Sequence, residues 1–430
     1  RIREELSFMN FDTSGYDKSY WAAADGVPMF KTCEQSVNVM PVINLEDEYT
    51  IVKGKEIVIS ASGYAAISLK NAVDGVVLSN GVVTVSENAT VTFIATGLWG
   101  KTSEKTVTFT VSDGTVFDRT TKRLFDYEIG SESVTFDLPA DISTVTKLSI
   151  GSSGYFGNGF SVNAGKITIE KSLFDQISSV YGDYNITLTD GTNFWEYTCS
   201  LVTKIISSYE DLNSIRTTGD TLDGYYVLGQ SFVAGNETAM DRLIGTWSSD
   251  KSKGFIGILD GRGYSITGLK LKQEGLFWCM GQSIVRNLAL IDVEIADNGP
   301  AVFVASDCQS TRFENVFVSS NAKAMFNCAY GNITVKNVVF VSSYADGGYL
   351  FDQGNNTNGS CSLENVILVG KSQFSYYGGT VAQNNTAVYE SVAKMFEALS
   401  AENLFEKWDG SFNYKEGAIY FGNVKVIENN

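Results

Sequence analysis

Between residues 266 and 368 the apolar positions fall into short runs, each introduced by the same polar step. Ile266-Thr-Gly-Leu-Lys-Leu271, Val285-Arg-Asn-Leu-Ala-Leu290, Phe313-Glu-Asn-Val-Phe-Val318, Val335-Lys-Asn-Val-Val-Phe340 and Leu363-Glu-Asn-Val-Ile-Leu368 share one form. It reads apolar, polar, Asn (Gly in the first), then an apolar triplet, and the third positions step by 19, 28, 22 and 28 residues. A second series, Gly275-Leu-Phe277, Ala301-Val-Phe303, Ala324-Met-Phe326 and Tyr349-Leu-Phe351, interleaves with it at steps of 26, 23 and 25. Two interleaved series on one drifting period predict successive coils of a parallel β-solenoid.

Stacked coils bring equivalent side chains within about 4.8 Å of one another, as ladders. Phe277, Phe303, Phe326 and Phe351 are expected to stack inside as aromatics, and Leu288, Val316, Val338 and Val366 as aliphatics. Asn287, Asn315, Asn337 and Asn365 are expected to form an amide ladder at a turn, each satisfying its neighbour's backbone.

The first half alternates with the shorter period of half-buried strands. Glu56-Ile-Val-Ile-Ser-Ala61, Gly81-Val-Val-Thr-Val85, Ala89-Thr-Val-Thr-Phe-Ile-Ala95 and Lys105-Thr-Val-Thr-Phe-Thr-Val111 predict a β-sandwich over residues 33–112, punctuated by Asp74-Gly75 and Asp113-Gly114. A second sandwich is expected over 113–204 from Ser133-Val-Thr-Phe-Asp-Leu138, Lys166-Ile-Thr-Ile-Glu170, Tyr184-Asn-Ile-Thr-Leu-Thr189 and Phe194-Trp-Glu-Tyr-Thr198. Residues 205–430 then hold the solenoid, with Tyr225 opening the first coil. A helix capped by Ser208 is expected at one end, and a helix from Val392 followed by strands at 418–421 and 424–427 at the other.

Residues 1–32 do not read as a domain of their own. Gly26 and Phe30 correspond to Gly417 and Phe421 near the C-terminus, which marks 1–32 as the closing segment of a preceding module of the same kind or an N-terminal extension. Tyr20, Trp21 and Phe30 at one end, and Trp408, Phe412 and Tyr420 at the other, are too many large apolar groups to leave in water. They predict head-to-tail contact with copies of the chain or neighbouring modules, giving an open array.

Composition narrows the chemistry. The chain has 430 residues, 32 Lys plus Arg against 49 Asp plus Glu, a net charge of −17 and no histidine. The acidic balance disfavours nucleic acid and anionic lipid as partners. The missing imidazole excludes Ser-His-Asp and Cys-His catalysis and His-ligated zinc. No apolar run is long enough to span a membrane, so no insertion is expected. Cys33, Cys199, Cys279, Cys308, Cys328 and Cys361 match no zinc spacing; the last four lie in or beside the coils and read either as buried filler or as disulfides between neighbouring coils. No metal or organic cofactor is expected.

Residues 224–290 carry Gly224-Tyr-Tyr-Val-Leu228, Gly254-Phe-Ile-Gly-Ile-Leu-Asp-Gly-Arg-Gly-Tyr-Ser-Ile-Thr-Gly-Leu269, Gly275-Leu-Phe277 and Ile284-Val-Arg-Asn-Leu288. This set resembles the right-handed parallel β-helix modules of bacterial surface proteins, including the Gly-Leu-Phe-Gly-type repeats of adhesins, and segments of phage fibres and decoration proteins. The two preceding segments resemble bacterial immunoglobulin-like domains. Trp278 and Cys279 depart from the repeat, standing where Gly is usual. The resemblance implies an all-β chain: two immunoglobulin-like sandwiches followed by a short right-handed parallel β-helix with helical end caps. It implies a non-enzymatic extracellular protein of a bacterial surface or a virion, with a surface glycan or host-cell protein as partner.

Right-handed β-helices also host polysaccharide lyases and glycosidases, which need convergent carboxylates. Asp292, Glu294 and Asp297 are the best cluster for that alternative, with Asp307 and Glu314 a coil further on. Gly261-Arg-Gly263 lacks the third glycine and the helix of a phosphate loop and reads as a tight turn. Tyr344, Tyr349, Tyr376 and Tyr377 gather near the last coils, where exposed aromatic rings would stack on sugar faces.

Overall fold

The computed structural model describes residues 21–24, 27–30, 40–61, 66–97, 100–151, 155–177, 180–215, 222–235, 244, 254–272, 275–296, 301–328, 332–345, 348–353, 360–370, 374, 380–402, 404–408 and 412–428. At 21–24, 27–30, 304–309, 328, 353, 380 and 407 only the backbone is described. The chain is all-β with a few short helices and divides into two compact units. The first comprises residues 1–125, 132–179 and 183–199; the second comprises 126–131, 180–182 and 200–430.

In the first unit, the strands at Glu48–Val52, Thr102–Ser112, Ala89–Thr96 and Ala66–Leu69 form one sheet, and Glu56–Val58, Val82–Val85 and Val76–Ser79 another. Alternation sends Val91, Phe93, Ala95, Val107 and Phe109 inward to meet Val83 and Val85 in one core, the expected face-to-face sandwich. A second pair of sheets follows, joined across its interior by Phe125 against Phe136 (ring centroids 4.7 Å) and Phe174 (6.3 Å). At the N-terminus, Trp21–Ala24 and Val27–Phe30 form a hairpin that pairs Trp21 with Phe30. The C-terminal hairpin pairs Phe412 with Phe421, both positions 391 further on, so the motif read in the sequence carries a shared register.

The second unit is built on two parallel sheets. The long one runs, in spatial order, through Lys204–Ile206, Tyr225–Leu228, Ile258–Thr267, Ile284–Ile295, Arg312–Ser320, Ile333–Ser342, Ser360–Val369 and Thr380–Tyr389. The short one runs through Phe277–Gly281, Ala301–Gln309, Ala324–Cys328 and Tyr349–Gln353. From Ile258 to Val369 the chain adds strands to the two sheets alternately. The first long-sheet strand is Lys204–Ile206, so the stack begins before Tyr225. Ser208 caps the Tyr209–Asn213 helix, its Oγ accepting from Asp211 N–H at 3.2 Å, and Leu212 is buried in the interior.

The repeated hexapeptide now has a physical account. Its Asn occupies the left-handed region, with φ of 52° to 55° at Asn287, Asn315, Asn337 and Asn365, a conformation Asn tolerates better than other side chains. The triplet after it alternates: Leu288, Val316, Val338 and Val366 point into the interior shared by the sheets, as do Leu290, Val318, Phe340 and Leu368. The middle residues Ala289, Phe317, Val339 and Ile367 point out of the opposite face of the long sheet, yet each is at most 2% exposed.

The C-terminal segment covers that face. Helix Val392–Ala401, capped by Ser391, and the sheet of Phe412–Lys415, Ala418–Phe421 and Val424–Glu428 bury Met395, Phe396, Leu399, Phe421 and Val426 against those middle residues. The segment reaches back to the start of the stack, where a Cβ on Gly422 (φ 57°) would come within 3.2 Å of the Gly263 carbonyl oxygen. The final strands were expected to close the far end; they instead lie over the outer face, because a stripe apolar on both sides needs a cover on both.

Two further readings of the sequence are corrected by register. Leu259, not Ile266, pairs with Val285, so the first repeat begins at Leu259 and Gly268 is not the counterpart of Asn287. In the short sheet Val304, not Phe303, pairs with both Phe277 and Phe326, through irregularities between Phe277 and Cys279 and between Ala301 and Val304. Phe277, Phe303, Phe326 and Phe351 are nonetheless all buried in one interior cluster. Phe303 meets Phe326 at 6.3 Å and Phe326 meets Phe351 at 5.2 Å, while Phe277 stacks on Phe255 at 4.8 Å.

Cys199, Cys279 and Cys361 are buried, as expected of apolar filler, and burial pushes the Cys361 thiol up to about 12. Thiolate is the reacting form, so Cys361 is expected to resist iodoacetamide at neutral pH in the native protein and to react once it is unfolded. Mass spectrometry of the labelled peptides checks this.

Candidate functional site

The amide ladder is present and one rung longer than the sequence indicated, but its bonds run from side chain to side chain rather than to a neighbour's backbone. Asn315 Nδ2 donates to Asn287 Oδ1 at 3.2 Å, Asn337 to Asn315 at 2.9 Å, and Asn365 to Asn337 at 2.7 Å. Asn385 adds a rung, donating to Asn365 at 2.7 Å. At the other end Asn287 donates to Asp260 Oδ1 at 3.1 Å. These residues are structural, each amide being used by its neighbour.

Asp260 is the anchor of that ladder and of a buried charge network. It is 1% exposed and accepts from Arg286 Nε at 2.8 Å and Arg262 Nη1 at 3.0 Å. Arg262, at φ 57° in the Gly261-Arg-Gly263 turn, also reaches Asp126 Oδ1 at 3.0 Å and Ser200 Oγ at 2.8 Å, both in the same unit. Arg286 Nη2 donates to the Tyr225 hydroxyl at 2.9 Å, and both guanidinium groups lie over the Tyr225 ring. Burial works against the Arg286 charge, but Asp260 and Tyr225 outweigh it and hold its pKa above the ordinary range. The turn is tight, as Gly261-Arg-Gly263 predicts, with the Arg262 N–H donating to Asp260 Oδ1 at 2.9 Å.

Of the carboxylates, Asp292 and Glu294 stand exposed on one strand and line a cleft of about 380 Å³ with Ser319, Asn321 and Val426. Each has a local partner: Ser319 Oγ donates to Asp292 Oδ1 at 3.2 Å, and Lys270 Nζ is 3.8 Å from Glu294. Glu314 pairs with Arg312 at 3.4 Å. Asp297 lies outside the described residues, and Asp307 is described by backbone alone. Among the described residues no group of three His, Cys, Asp or Glu is arranged to hold a metal.

Of the four tyrosines expected to gather near the last coils, two are described. Tyr344 and Tyr349 are half-buried, and Lys323 lies between strand and solvent with Nζ 5.7 Å from the centre of the Tyr349 ring. Lys323 pairs at 2.6 Å with Asp352, and that hydrogen bond, outweighing burial, raises the lysine pKa. The result is a partly exposed aromatic surface beside a fixed cation and carboxylate. Lys323 immediately precedes the strand Ala324–Cys328 and Asp352 lies in the next short-sheet strand, Tyr349–Gln353; no local sequence pattern marks them as a pair. Tyr376 and Tyr377 lie outside the described residues.

Two of the apolar groups expected to mediate assembly are used internally. Trp408 and Phe412 are buried, stacking with Phe405 and Phe421 in the cover of the long sheet, so they are not presented to another copy. Tyr420 is half-buried. Tyr20 lies outside the described residues, and of Trp21 and Phe30 only the backbone is described. Among the described residues no helix is long and apolar enough to cross a membrane.

No family model matches the chain, and no curated protein matches it. Solved structures give low-scoring likenesses. A tandem of titin immunoglobulin domains is 11% identical and covers 37% of this chain and 95% of its own, at a TM-score of 0.14. The N-terminal immunoglobulin pair of the Drosophila receptor protein tyrosine phosphatase DLAR is 15% identical, covers 38% and 98%, and scores 0.18. A Bacteroides ovatus protein of a mixed-linkage glucan utilization locus, solved with a mixed-linkage heptasaccharide, is 14% identical, covers 38% and 47%, and scores 0.15. None of these scores bears on function.

Proposed function

We propose that the chain is a non-enzymatic extracellular protein of a bacterial surface or a virion. In this reading two immunoglobulin-like sandwiches lead into a short right-handed parallel β-helix, a rigid scaffold that presents the Tyr344 and Tyr349 surface to a surface glycan or a host-cell protein. The observation that carries it is the half-buried Tyr349 ring beside the Lys323–Asp352 ion pair, with Tyr349 and Asp352 on one strand of the short sheet. Such a surface offers a sugar an apolar face and fixed polar groups together. Tyr349→Ala is expected to weaken binding to a positive on a surface-glycan array by about tenfold, the scale of one lost aromatic anchor. An unchanged signal would remove this surface from the reading.

The alternative of a polysaccharide-degrading β-helix is favoured by one observation, the cleft shared by Asp292 and Glu294. Release of reducing ends from acidic or neutral polysaccharides, abolished by Asp292→Asn, would support it over the adhesive reading.

A further inference from the structure

The first unit holds a second candidate site that shares no residue with the tyrosine surface. A cleft of about 540 Å³ opens between its two sandwiches, within the range of small-ligand sites, which favour such junctions. Tyr49 and Ile51 form part of one wall, and Tyr155 and Tyr184 part of the other. The walls are held in place. The Tyr49 hydroxyl accepts from Glu46 N–H at 3.2 Å. Tyr155 packs edge-on against Phe194 at 6.1 Å and hydrogen-bonds to the buried Ser149 and Thr187. Burial, and secondarily the nearby Glu196, pushes the Tyr155 hydroxyl up to about 12, so it stays protonated at any physiological pH. Tyr184 is half-exposed and sits over Gly151, where a Cβ would come within 3.1 Å of its ring.

The polar lining selects the ligand's charge. Lys55 is ion-paired with Glu196 across the cleft, and the exposed carboxylates of Glu56 and Asp183 also line it. A phosphate or a uronate would meet two carboxylates and a cation already engaged, on a chain of net charge −17. Aromatic faces beside acceptor-only carboxylates suit a ligand with apolar ring faces and many hydroxyl donors. We propose that this cleft binds a short neutral oligosaccharide, with Tyr184 as the stacking platform and Asp183 and Glu56 as hydroxyl acceptors.

Isothermal titration calorimetry on the full chain tests it, in a Tyr349→Ala background so that the tyrosine surface of the second unit does not contribute. Short neutral oligosaccharides of glucose, mannose, galactose and xylose are the probes, with spermidine as a cation and oligogalacturonate as an anion. The expected result is saturable binding of at least one neutral sugar and none of oligogalacturonate. Tyr184→Ala should weaken that binding about tenfold or more, and Asp183→Asn should weaken it measurably. If Tyr184→Ala loses its native circular dichroism spectrum, Asp183→Asn, a substitution of an exposed residue, decides. Binding by no neutral sugar, preferential binding of spermidine or oligogalacturonate, or sugar binding that survives the variants would overturn the proposal.

Discussion

Asp260→Ala is expected to destabilise the parallel-sheet unit by about 3–5 kcal/mol, the cost of removing one partner from a buried ion pair. The carboxylate accepts from Arg286 Nε, from Arg262 Nη1, from the Arg262 backbone N–H at 2.9 Å and from Asn287 Nδ2. Its loss takes the carboxylate from Arg286, which keeps only the Tyr225 hydroxyl among these partners, leaves Arg262, whose side chain is 6% exposed, with Asp126 and Ser200, and removes the acceptor at which the amide ladder ends. It also releases the Arg262 turn, whose positive φ is held by that backbone bond. Urea unfolding followed by tryptophan fluorescence measures the effect. Pairing Asp260→Ala with Arg286→Met should cost less than the two single changes summed, because the second removes a charge the first left unpaired. A loss below about 1 kcal/mol would mean that water reaches the site and replaces the carboxylate.

The network was not legible because its partners are remote. Arg262 meets Asp126 and Ser200, which lie 136 and 62 positions away, and nothing near Gly261 or Gly263 announces either. The Asn ladder was legible because one local pattern repeats with its register intact. It failed at both ends for local reasons. Asn385 follows Gln383 rather than an apolar residue, so its repeat lacks the leading signal. At the start, the Ile258–Thr267 strand carries three residues, 261–263, opposite the single Asn287, and this insertion moved the apparent repeat from Leu259 to Ile266.

The position of the C-terminal segment was legible in principle. A strand facing solvent on one side alternates apolar and polar; these triplets do not. Phe317, Val339 and Ile367 are apolar where solvent-facing residues would be polar, and that alone demands a cover on the second face. Met395, Phe396, Trp408 and Phe412, in the C-terminal segment that follows, supply it. Trp408 and Phe412, expected to mediate assembly, meet this internal requirement instead. The same constraint explains why Thr380–Tyr389, the outermost strand, is polar over Gln383-Asn-Asn-Thr386 and still keeps Ala387 and Tyr389 against the cover.

Phe326→Ala is expected to cost about 3–5 kcal/mol, the range for a buried phenyl ring whose cavity only partly collapses. Phe326 is fully buried and meets Phe313 at 4.6 Å, Phe351 at 5.2 Å and Phe303 at 6.3 Å, so one truncation leaves three aromatic neighbours without their common contact. Phe313 belongs to the long sheet and the other rings to the short one, so Phe326 joins the two sheets across the interior as well as continuing the stack. Collapse into the gap is restricted, because Phe303 and Phe313 sit on strands bonded to a strand on either side and Phe351 on a strand bonded to that of Phe326 itself. Phe326→Leu, which keeps most of the volume, should cost clearly less. Urea midpoints for the two variants separate the outcomes: equal small losses would mean that the rings do not share one packed interior, whereas a large loss for alanine with a modest one for leucine is the signature of a cavity at the junction of the two sheets.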